Sequence, residues 1–100
     1  MVRHIVLFQL KAFPSAAEKQ AKMQEMKEAL EALTKDIPFL RAIRVDFNIN
    51  PDEVFDVILT ADLDSLADVK AYSAHSAHQA VLKNIIAPIK VGRACVDFVV

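Results

Sequence analysis

One glycine, Gly92, stands among 100 residues, which leaves no glycine-rich loop to cradle a phosphate and no GxGxxG dinucleotide turn. One cysteine, Cys95, excludes an intramolecular disulfide and fits a reducing compartment, so a cytoplasmic protein is expected. Twelve Lys and Arg against thirteen Asp and Glu leave a net charge of −1, without the basic excess that nucleic-acid binding needs. No apolar run nears the roughly 18 residues that span a bilayer. The apolar start from Val2 to Phe8 lacks the length and small-residue cleavage site of a signal peptide, so no membrane association is expected.

The residues present read as one domain over 1–100 with a single core. The apolar fraction, 54%, is rich for so small a chain and points to surface covered by a partner. Val2 to Leu10 is dense in β-branched and aromatic residues with apolar side chains on both faces, as in a strand covered on both sides. Ser15 and Glu18 form a capping box that opens a helix. Met23, Met26, Leu30, Leu33 and Ile37 make its apolar stripe, and Pro38 stops it. Glu18–Lys22, Lys27–Glu31 and Glu31–Lys35 are its expected i,i+4 pairs.

Leu40 to Ile49 alternates as a second strand, Asn50-Pro51-Asp52-Glu53 supplies a turn, and Val54 to Ala61 is a third strand. Asp64-Ser65 caps a second helix that breaks near His75-Ser76, where Ser76 with Gln79 offers a new cap. Gly92 is expected to end that helix before a last strand, Ala94 to Val100. The order β-α-β-β-α-β is the ferredoxin-like α+β arrangement, with the first and third strands central. Both helices would cover one sheet face, and the other would be buried by packing two sheets face to face in a homodimer.

Candidate chemistry concentrates in Tyr72-Ser73-Ala74-His75-Ser76-Ala77-His78, which holds the sole tyrosine and two of three histidines. Imidazole titrates near neutral pH and a phenol donates from its hydroxyl. His4 lies on the even face of the first strand beside Val6, Phe8 and Leu10, as a core residue or as part of a polar island in an apolar cavity. His75 suits a helix end, where an imidazole bonds free carbonyls. His75-x-x-His78 has the spacing of a metal pair but no third ligand beyond Asp64, Asp68 and distant His4, so no metal is expected. Cys95 reads as a buried small hydrophobe, and Arg93 and Asp97 as rim or interface charges.

The opening Val2-Arg3-His4-Ile5-Val6-Leu7-Phe8, the Ile37-Pro38 turn, the Tyr72-to-His78 segment and Arg93-Ala94-Cys95-Val96-Asp97-Phe98 together resemble the stress-responsive dimeric α/β barrel family. The resemblance covers essentially the whole chain. It implies a ferredoxin-like subunit whose sheets join as a dimeric barrel, with a pocket between sheet and helices. It implies no cofactor, and the family mixes stress-induced proteins of unclear biochemistry with a few enzymes. One of these is a plant polyketide cyclase performing an intramolecular aldol condensation. That resemblance would make His78 the catalytic imidazole and Tyr72 its phenol partner, with His4 and His75 lining the pocket. Members often carry proline after the first histidine of the pair, where this chain has Ser76.

The expectation is therefore a stress-responsive dimeric barrel protein, either binding a small apolar or carbonyl ligand or of unassigned biochemical activity. The alternatives are a cofactor-free enzyme, cyclase-like or monooxygenase-like, using Tyr72 and His78, and a purely structural dimer.

Overall fold

A computed structural model describes all residues, Met1–Val100. The chain runs β1 (Val2–Leu10), α1 (Ala16–Glu31), a 3-10 turn over Ala32–Lys35, β2 (Ala42–Phe47), β3 (Val57–Leu63), α2 (Leu66–Ala74), α3 (Ser76–Val81), a π turn over Leu82–Ile86, and β4 (Lys90–Val99). The four strands form one antiparallel sheet in the order β2-β3-β1-β4. This is the ferredoxin-like α+β order, with β1 and β3 central as their two-sided apolar composition requires.

Local chemistry sets the element ends. The Ser15 hydroxyl accepts from the Glu18 backbone N–H at 3.1 Å and the Ser65 hydroxyl from that of Asp68 at 3.1 Å, so each helix begins at a satisfied cap. The first helix tightens into its 3-10 turn before Pro38. That change of pitch separates Glu31 from Lys35, and Glu31 instead accepts from Lys27 at 2.8 Å and from the Val45 backbone N–H at 2.9 Å. The Glu18–Lys22 pair is likewise replaced by Lys22–Glu25 at 3.3 Å.

β2 ends at Phe47, two residues before the expected Ile49, because Asn48 starts the turn. Its side chain accepts from Asn50 N–H at 2.8 Å and donates to the Phe55 carbonyl at 2.8 Å. Ile49 is left 96% exposed. β3 correspondingly begins at Val57 rather than Val54 and runs on to Leu63. At the other end, Gly92 does not end a helix but lies inside β4 opposite Gln9, and its φ is not positive. β4 therefore starts at Lys90, with a register shift against Gln9 and Leu10.

The helix-covered face holds the core. Val6, Phe8 and Leu10 from β1, Val45 from β2 and Val57, Leu59, Ala61 and Leu63 from β3 pack under Met26, Leu30, Leu33 and Ile37. Burying each such large aliphatic side chain contributes roughly 1.5–3 kcal/mol. The opposite face has no helix. It carries Ile5, Leu7, Ile58, Ala94, Val96 and Phe98, with Val96 59% and Phe98 43% exposed in the single chain. No helix is long and apolar enough to cross a membrane.

Candidate functional site

The second helical segment breaks at His75, and the break builds the site. His75 has extended backbone (φ −63, ψ 137) between α2 and α3. Its Nδ1 accepts from the Ala77 N–H at 3.1 Å, so His75, not Ser76, caps α3. The imidazole has taken the capping role expected of the serine. His75 is half-buried and does not line the cavity described below.

Ending α2 early frees carbonyls of its last turn. The Ser73 carbonyl is met by His78 Nδ1 at 3.0 Å and by Gln79 Nε2 at 2.6 Å. A carbonyl only accepts, so His78 Nδ1 carries the proton and, in the neutral ring, Nε2 keeps a lone pair. Burial pushes the His78 pKa below its ordinary 6.5; the Ser73 carbonyl opposes this, and the charges of His4, Arg93 and His75 add to it. At neutral pH the ring is therefore a neutral base with one tautomer favoured.

Tyr72 ends the apolar stripe of α2 and is 1% exposed. Its ring centroid lies 4.4 Å from that of His78 and 6.1 Å, edge-on, from that of His4. The Tyr72 hydroxyl is buried without any hydrogen-bond partner. Leaving such a donor unmade costs about 1–3 kcal/mol. Burial also pushes its pKa up, so it remains a protonated donor throughout the neutral range.

These rings border a cavity of about 220 Å³ between the sheet and the helices. Val6, Phe8, Leu30 and Leu59 form its apolar side, and His4, Tyr72, Ser73, His78, Gln79 and Arg93 its polar side. The volume is below the roughly 300 Å³ of drug-sized ligand pockets, which restricts any occupant to a small molecule.

His4 is 4% exposed and is the residue that the strand register explains best. It stands opposite Asp97 in the β1–β4 ladder, and its Nδ1 lies 2.6 Å from Asp97 Oδ1. Nδ1–H donates to the carboxylate, which leaves Nε2 as the uncommitted nitrogen. Asp97 thus fixes the His4 ring and is not a detached rim charge. Cys95 departs further from expectation: it is exposed, with Sγ 3.5 Å from His4 Nδ1. No helix packs extensively against β4, and the cysteine stays uncovered. His4, Cys95 and Asp97 place one ligand atom each within 4.8 Å of one another, and they are the residues that could hold a cation. Strand alternation puts Arg93, Cys95 and Asp97 on one face, but the sequence gives no sign that His4 is the neighbour that Cys95 and Asp97 meet.

Comparison with known proteins places this geometry. The profile of the Stress Responsive A/B Barrel Domain family matches residues 2–100. The chain belongs to that family. A dimeric ferredoxin-like protein of unknown function from Bacteroides fragilis is 44% identical, with a TM-score of 0.88 over 97% of this chain and 93% of that one. Another dimeric ferredoxin-like protein of unknown function, from Thermobifida fusca, is 29% identical, with a TM-score of 0.80 over 99% and 90%. A hydroxynitrile lyase from Passiflora edulis, 16% identical with a TM-score of 0.79 over 99% and 92%, shares the fold alone with this A/B barrel domain. No curated protein matches the sequence.

Proposed function

We propose that residues 1–100 form one domain of a cytoplasmic homodimer, joined through the open sheet faces, which binds a small ligand in the Tyr72–His78 cavity of each subunit. The observation that carries this reading is the Tyr72 hydroxyl, which is buried beside the cavity and bonded to nothing in the chain. A fold gains nothing from such a group, whereas a ligand oxygen accepting from it would recover its hydrogen bond. The dimer rests on the apolar row of half-buried Ile5 with exposed Val96 and Phe98, and on the dimeric state of the Bacteroides and Thermobifida proteins. His4 and His78 complete the polar side of the binding site in this reading, and His75 acts by fixing the helix break. The test is a fragment titration followed by amide chemical shifts. Saturable shifts around Tyr72 and His78, weakened in Tyr72→Phe, are expected; shifts confined to the outer surface would sink the assignment.

A second reading, catalysis, is favoured by the tautomer of His78. With Nδ1–H held by Ser73, Nε2 is free to remove a proton beside a carbonyl. The enolate carbon would then attack a second carbonyl of the same molecule and form the new C–C bond. Tyr72 would donate to the developing oxyanion, and the His78 imidazolium would return its proton to the alkoxide. Both groups belong to the chain, so this aldol chemistry asks for no cofactor. Incubation with poly-β-keto compounds checks it. His78→Ala should abolish cyclisation above the solution rate, and equal turnover in the variant and the parent would refute the catalytic role.

A further inference from the structure

Arg3, Arg41 and Arg44 each pair with an aspartate, Asp62, Asp64 and Asp46, at 2.9, 2.7 and 2.8 Å. Arg93, the remaining arginine, makes no ion pair although it borders the cavity. It stands opposite Phe8 in the β1–β4 ladder, on the helix-covered face, and is itself exposed, which puts its guanidinium on the solvent side of the cavity. Among the residues lining that space, no aspartate or glutamate occurs, and Arg93 is the only permanently charged group. Asp97, the nearest carboxylate along β4, is committed to His4.

We propose that the cavity selects a small anionic ligand, a carboxylate with a compact apolar body, and that Arg93 is the residue that reads the negative charge. This rests on the binding reading above and names its ligand class. The division of labour follows from the geometry. Val6, Phe8 and Leu30 take the apolar body, the Tyr72 hydroxyl supplies a buried donor, and the guanidinium at the mouth supplies charge-assisted hydrogen bonds in a planar fork that matches a carboxylate. Both donors border the same cavity, and the Tyr72 hydroxyl has no partner in the chain while Arg93 has no ion pair.

Benzoate and its neutral isostere benzamide, titrated into the full-length protein at neutral pH and low salt, test this directly by amide chemical shifts. Benzoate should bind about tenfold tighter than benzamide, as expected for a charge-assisted contact over a neutral one. Arg93→Gln should erase that preference by weakening benzoate while leaving benzamide within about twofold, and Arg93→Lys should restore part of it. Arg93 is exposed, so the variants should melt with the parent. Equal binding of the two probes to the parent would overturn the anion proposal and leave the cavity reading standing. An equal loss of both probes in Arg93→Gln would also overturn it, since the arginine would then only shape the wall. Failure of both probes to bind the parent would overturn the cavity reading, and this proposal with it.

Discussion

β2 and β4 are the two edges of one sheet, yet their helix-side rows differ in chemistry. On β2 the row is Ile43, Val45 and Phe47, and α1 packs against it so that Val45 is completely buried. On β4 the row is Arg93, Cys95, Asp97 and Val99, and every member is exposed. Three helical segments cannot cover four strands evenly. α1 closes the β2 edge, while no helix packs extensively against β4. The uncovered strip is where polar side chains can stand next to core without being fully desolvated. The cavity lies along that boundary, with Phe8 and Leu59 on its dry side and Arg93 on its wet side. The closed edge completes the core, and the open edge borders the cavity.

That contrast is sharpened most strongly by cutting into the closed edge. Met26 is fully buried. Met26→Ala should therefore lower the unfolding free energy by about 2–5 kcal/mol in a denaturant titration. Cys95→Ala on the open edge should change it by less than about 0.5 kcal/mol. Similar costs for the two would mean that β4 is buried in the assembled protein and that the edges are alike.

The open sheet face separates the two edges from the dimer. Phe98→Asp places a carboxylate where a second sheet would pack, and sedimentation at micromolar concentration should show self-association weakened by at least about tenfold. An unchanged dimer would move the interface elsewhere.

The pH response should come from the boundary itself. His78 is buried with its pKa below the ordinary 6.5, so the unfolded chain binds the proton more readily than the folded one. Its contribution to stability is fully present above pH 6.5 and is lost as pH falls through 6.5 towards the lower folded value. Melting curves should show that slope, and His78→Gln should flatten it. A steeper slope in the variant would show that another group controls this range.

Much of this was legible in the sequence because it depends on local periodicity. The caps at Ser15 and Ser65 and the apolar stripe of α1 follow from spacing, and the central place of β1 and β3 from element order and two-sided apolar composition. The Tyr72–His78 pair was legible as well, since both are scarce residues one helical break apart. What the sequence withheld depends on register and coverage. The His4–Asp97 bond joins residues 93 positions apart and appears only once β1 and β4 are aligned. The exposure of Cys95 depends on where a helix stops, and the hand-over of the cap from Ser76 to His75 depends on one backbone torsion. The unpaired state of Arg93 is visible only by contrast with three arginines that found partners.

The smallest expected effect tests whether the Tyr72 hydroxyl serves a ligand or the fold. Tyr72→Phe removes one buried oxygen and leaves the packing of the ring intact. The measurement is the unfolding free energy of Tyr72→Phe against the parent with no ligand added. The variant is expected to be as stable as the parent or slightly more so. A loss of about 1 kcal/mol or more would contradict the ligand role, because the hydroxyl would then have a structural partner.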